Sequence, residues 1–331
     1  MLHTRRDIGK LALAGTAAKL MAAKPNSVFG GVQIGAITYS FRALPGSAEE
    51  TLKYCLECGI SAIELMSNVA ESYAGAPAQP ARGVRPGGGQ GRGPGGGRAP
   101  MTPEQQAAMQ KSAKEMKQWR LSLSMDKYKT FRKMYADAGV RIYAFKLPPT
   151  MTMSDQEYDY IWNVGETLGA SHLTMELPTD DALLQRVAEY AAKRKLRIAF
   201  HTHGQGGSSG FEKALGSSDY TALNLDVGHY YGVNGQSPVP VIEKYHNRIA
   251  SLHLKDRKGP SSAAESKGSG AGGANMPWGQ GETPLKEILQ LMKKQKYKFP
   301  ASIEYEYNTP EGSDVLTEVK KCVQFCKESL S

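Results

Sequence analysis

The stretch LNLDVGHYYG, residues 223–232, sets the problem. An apolar, strand-like run ends on Asp226, and His229 follows three residues later. An ionised carboxylate inside a strand is costly unless something positive lies against it. Asp226 therefore stands at a strand end facing solvent or opposite a cation, and the remaining chain favours the cation. The run is one of eight: VQIGAITYS (32–40), AIEL (62–65), IYAF (142–145), HLTMEL (172–177), LRIAFH (196–201), ALNLDV (222–227), IASLHL (249–254) and ASIEYE (301–306). Amphipathic segments such as DALLQRVAEYAAKRK and VLTEVKKCVQFCKESL lie between them. Eight strands alternating with helices over about 250 residues predict an α/β fold, a single-domain (β/α)8 TIM barrel. The structural alternative, a doubly wound open sheet, usually has fewer strands, and no G-x-G-x-x-G follows the first strand here.

Three segments stand outside that pattern. Residues 1–23 carry the pair Arg5 and Arg6, then a moderately apolar, small-residue stretch, which reads as a twin-arginine-like export signal and implies a periplasmic or otherwise exported protein. Residues 74–100 and 259–275 are glycine-rich, low-complexity stretches that cannot build a packed core and read as insertions within a barrel spanning 32–331. Without the first 23 residues and these stretches of 27 and 17, 264 of the 331 residues remain. The formal charge of +9 is also local: residues 1–23 hold +3 and residues 74–100 hold +4, leaving +2 elsewhere. A nearly neutral body gives no nucleic-acid footprint. No run of eighteen apolar residues suggests a membrane span.

A (β/α)8 barrel carries its active site at the C-terminal ends of its strands. The polar residues there are Glu64, Lys146, Glu176, His201, His203, Asp226, His229, His253, Asp256, Glu304 and Glu306. Imidazoles mixed with carboxylates suit Mn²⁺, Zn²⁺, Co²⁺ or Fe²⁺, with Mg²⁺ still admissible. Residues two apart share a strand face, so His201 and His203 point alike, as do Glu304 and Glu306.

In order along the chain, TMELP, LDVGH, LHLKDR and SIEYE resemble the xylose isomerase-like TIM-barrel family, which holds sugar isomerases, ketose 3-epimerases and inosose dehydratases. PWGQGE (277–282) resembles that family's Gly-x-Gly turn before the last helix. The resemblance runs from about Val32 to the end. It implies metal ligands Glu176, Asp226, His253 and Glu304, with His229 and Arg257 touching substrate oxygens. Lys146 and His201 join them as candidate substrate-binding residues. His203 stands beside His201 as a wall residue or part of a second metal site.

The implied chemistry is proton abstraction beside a sugar carbonyl, with Glu176 and Glu304 as base and acid. Returning the proton to the other face epimerises; moving it between carbons isomerises; losing a β-oxygen eliminates. The leading expectation is a metal-dependent sugar isomerase or epimerase. The alternatives are a 3-keto-glycoside lyase or hydratase, an apurinic-site type of nuclease, and a non-catalytic sugar-binding barrel. An exported member would act on a free sugar or an oxidised glycoside, and a homodimer is an assembly common among such barrels. Cys55 and Cys58 fall in the first helix and Cys322 and Cys326 in the last, where they read mainly as small core residues, with a disulfide or a zinc site open beside that.

Overall fold

The computed structural model describes residues 24–78, 102–203, 208–260 and 272–331. The export signal and most of both glycine-rich stretches lie outside these residues. Eight parallel strands form the barrel: β1 (Val32–Ile37), β2 (Ala62–Met66), β3 (Arg141–Lys146), β4 (His172–Glu176), β5 (Arg197–His201), β6 (Thr221–Asp226), β7 (Ile249–Leu254) and β8 (Ala301–Ile303). Each pairs with its sequence neighbour, and β8 pairs with both β7 and β1, which closes the ring. The predicted barrel is therefore the observed one.

Helices cover the outside, and the strands are buried on both faces, as a parallel barrel requires. The two faces differ in chemistry. Leu223 and Leu225 of β6 join the continuous apolar core. Asn224 and Asp226, one residue out of step, bond to side chains of other strands inside the ring. Glu64 of β2 and Thr174 of β4 do the same. The barrel axis is thus largely polar, with a small apolar cluster of Ala62, Tyr143 and Ala144.

The link from β2 to β3 contains helices Ser67–Ala74, Pro103–Ser122 and Asp126–Asp137. The 20-residue middle helix starts at a Thr102–Gln105 capping box with Pro103 in its first turn. Arg120 near its end grips Glu71 with two bonds of 2.8 and 3.0 Å, and Tyr160 adds a third at 3.1 Å. All four cysteines are free and buried in the apolar core. Burial raises the Cys58 thiol to about 12, which leaves it protonated and inert. Among the described residues, no helix is long and apolar enough to cross a membrane.

Candidate active site

Four ligand-type side chains converge at the C-terminal mouth: His201, Asp226, His253 and Glu304, with donor atoms within 4.8 Å of one another. All four are buried. Three belong to the expected ligand set, and His201 stands where Glu176 was expected. Glu176 instead lies at the rim, 43% exposed, 2.9 Å from the Lys146 ammonium and 2.9 Å from His203.

Lys255 occupies the middle of the cage. Its ammonium lies 3.0 Å from Asp226, 3.1 Å from Glu304 and 2.6 Å from Glu306. Those three carboxylates raise its pKa against the opposing effect of burial. Gly228 makes this placement possible, because a Cβ there would lie 2.3 Å from Lys255 Cγ. The glycine of DVGH is thus a steric requirement of the cage.

His253 is bonded through both ring nitrogens, Nδ1 to Glu304 at 2.7 Å and Nε2 to Glu64 at 2.7 Å. Burial opposes its charge, but the two carboxylates prevail and lift its pKa to about 10. His201 lies in the opposite state. Burial drives it down to about 3, and Asn224 holds its Nδ1 at 3.0 Å. Its Nε2 faces Asp226 at 3.7 Å.

A second histidine group, His201, His203 and His229, is also close-knit. Proton accounting weakens it as a metal site. The Arg257 guanidinium, which can only donate, bonds His229 Nδ1. The lone pair of His229 is therefore spent, and burial together with the nearby cations Lys255 and Arg257 keeps this ring neutral. Its Nε2 must carry the proton and is a donor. Arg257 is itself fully buried and also donates to the Gly273 carbonyl at 2.8 Å, so its guanidinium is committed to holding His229 and the loop.

Several features were not apparent from sequence. Asp256, read as a site residue, accepts bonds from the backbone N–H groups of Gly279, Gly281 and Thr283 and secures the PWGQGE turn. A Cβ at Gly281 would come within 2.2 Å of the Asp256 carboxylate. Tyr39, after β1, feels the charges of Glu304, Glu306 and Lys255, and burial raises its phenol. Glu64 lies mid-strand inside the barrel, below the mouth; a lone glutamate in the apolar run AIEL was the available signal.

The donor set fits a divalent ion on a direct observation. Asp226 Oδ2 is buried without an aligned hydrogen bond, faced by the Lys255 ammonium at 3.0 Å and by His201 Nε2 at 3.7 Å, a position a divalent ion can take over from the ammonium. Burial pushes the Asp226 carboxyl up despite Lys255.

A family profile described as xylose isomerase-like TIM barrel matches residues 182–326, the segment that supplies every member of the cage. An inosose dehydratase of Clostridium botulinum strain Eklund 17B is 28% identical over 161 residues, 45% of this chain and 53% of that protein. The chain thus spans about half the length of the curated relatives it matches. Among solved structures, a probable 3-DHS dehydratase from Bacillus anthracis superposes with a TM-score of 0.58 at 14% identity, covering 88% of this chain and 97% of that one. A D-psicose 3-epimerase gives 0.54 at 11% identity, covering 90% and 99%. A barrel protein from Mycobacterium smegmatis in complex with magnesium gives 0.51 at 14%, covering 91% and 98%. At these identities the structural likeness carries the fold. The C-terminal part of the chain, residues 182–326, is thus similar in sequence to the xylose isomerase-like TIM barrels, and the whole ring shares their fold.

Proposed function

We propose that this chain is a divalent-metal-dependent enzyme that removes a proton beside a carbonyl of a sugar-like polyol and then expels a β-oxygen, a dehydratase or lyase type of elimination. The observation that carries the reading is Glu176, a carboxylate at the rim held between two proton donors, Lys146 and His203. Elimination needs one base and one acid on neighbouring atoms, and this trio offers both. The curated relatives, both inosose dehydratases, support the same direction.

His201, Asp226, His253 and Glu304 would hold the ion, which when bound supplies Lewis-acid polarisation of the carbonyl. Glu176 takes the α-proton. Burial would raise its pKa, but His201, Lys146 and His203 hold it well below the usual carboxylate range. Its basicity recovers as Lys146 and His203 turn to the substrate. His203, whose pKa Glu176 raises against the effect of burial, delivers its proton to the departing oxygen. Lys146 pairs with the oxygen that gains charge, and the Nε2–H of His229 holds a substrate hydroxyl. An exported chain would meet free sugars or oxidised glycosides rather than cytoplasmic sugar phosphates.

Epimerisation is the second reading, favoured by one observation. Glu304 follows β8 and Glu176 ends β4, four strands apart around a ring of eight, so the two carboxylates approach a bound molecule from opposite sides. Proton NMR in D₂O separates the two, using Mg²⁺- or Zn²⁺-loaded protein with free aldoses, ketoses, inososes and 3-keto-glucosides. Elimination releases water or an aglycone and leaves an unsaturated product; epimerisation gives a new epimer carrying deuterium. A metal-loaded protein that exchanges no proton across this panel would overturn both readings.

A further inference from the structure

Glu64 takes no part in the scheme above, yet it is fully buried and accepts three bonds. Thr174 Oγ1 donates at 2.6 Å, Asn224 Nδ2 at 3.0 Å and His253 Nε2 at 2.7 Å. Its two oxygens are the shared acceptor of these three groups.

Two ring orientations follow from that one acceptor. His253 keeps a proton on Nε2 for Glu64, so Nδ1, which here bonds Glu304, is the nitrogen left for an ion. Asn224 must turn its amide nitrogen toward Glu64, and Ser251 receives the same nitrogen at 2.9 Å. Its carbonyl oxygen then faces His201, which must donate from Nδ1 and present the Nε2 lone pair toward Asp226. The two histidines of the cage use different nitrogens, and a single carboxylate below them dictates both choices.

We propose that Glu64 is the positioning residue of the cage, fixing His253 directly and His201 through Asn224 so that each offers the correct nitrogen to a divalent ion. The inference rests on the metal reading of the cage. A carboxylate behind a histidine ligand also makes the imidazole a stronger donor, an effect typically worth 10–100-fold in metal affinity.

The test uses full-length protein with ¹⁵N-labelled histidine, Co²⁺ as the probe, and the variants Glu64→Gln and Glu64→Leu. Glutamine retains an oxygen for His253 and Asn224, and its amide faces the Thr174 hydroxyl; leucine removes every acceptor. The parent should show protons on His253 Nε2 and His201 Nδ1. Co²⁺ should bind about 10-fold more weakly to Glu64→Gln and about 100-fold more weakly to Glu64→Leu, with a changed visible spectrum and an unchanged circular dichroism signal. Affinities within twofold of the parent in the folded variants, or a parent whose His253 Nε2 is bare, would overturn the proposal. If leucine prevents folding, Glu64→Gln and the parent spectrum still decide. A parent with the expected ring protons that binds no Co²⁺ would instead sink the metal reading, and the ring protons of the variants would then judge Glu64 alone.

Discussion

Along β6, Leu223 and Leu225 face the helices and join the apolar core, whereas Asn224 and Asp226 face the axis and are held by Glu64, Ser251, His201 and Lys255. The same alternation runs through β7, where Leu252 and Leu254 belong to the core while Ser251 and His253 point inward. Outside the ring, stability follows the apolar area removed from water. Inside it, a side chain is tolerated only when each of its polar atoms finds a partner. Outer positions should therefore accept swaps that conserve volume, and inner ones should not accept even isosteric changes of charge or donor without a functional consequence.

The strongest way to break the contrast is Asp226→Asn. The amide keeps the N-terminal cap on the His229 N–H, now 2.7 Å from Asp226 Oδ1, and replaces the charged Oδ2 beside Lys255 with an N–H donor. Titration calorimetry on the folded protein should find Mn²⁺ affinity lowered by more than about 100-fold. Retained Mn²⁺ binding would show that the cage does not use Asp226. On the opposite face of the same strand, Leu225→Ala should cost about 2–5 kcal/mol in urea unfolding. The folded fraction should still bind Mn²⁺ as the parent does, and a large affinity loss would mean that the two faces are coupled.

The third test sharpens the inner rule through pH. His172 is buried between Ser171 and Ser251, and burial lowers its pKa from 6.5 to about 4. Between those values the unfolded chain binds a proton that the folded chain refuses, so stability rises with pH. Its contribution is complete above pH 6.5 and is lost as pH falls toward 4, amounting to about 3 kcal/mol. His172→Gln should flatten that part of the urea-derived stability profile, and an unchanged slope would reject the assignment. The smallest effect belongs to neither face: Lys133→Ala, which breaks an exposed ion pair with Asp137, should stay within about 0.5 kcal/mol of the parent.

The strands were legible because eight apolar runs recur at barrel spacing, and the cage was legible because Asp226, His253 and Glu304 fall at strand ends. Strand alternation places His201 on an inward face, but it does not say whether His201 or Glu176 reaches the common point. That depends on side-chain length and on Lys146 and His203, which draw Glu176 to the rim. Lys255 was missed because a long flexible chain gives no periodic signal; only Gly228, the second residue of the helix Val227–Asn234 that Asp226 caps, marks where its stem passes. The Pro103–Ser122 helix was hidden because its sequence is mostly polar, and its anchor, Arg120 on Glu71, joins residues 49 apart.

Lys255 also makes the cage resemble an ion-exchange site supplied with its own counter-ion. The carboxylates are compensated as soon as the ring closes, so folding does not wait for a metal. Loading with the proposed ion would then be an exchange in which the ammonium yields to a divalent cation. Small zinc domains melt when stripped because their fold is the complex itself. On the proposed reading, a barrel that carries a resident ammonium would be emptied by a chelator, remain folded, and be refilled.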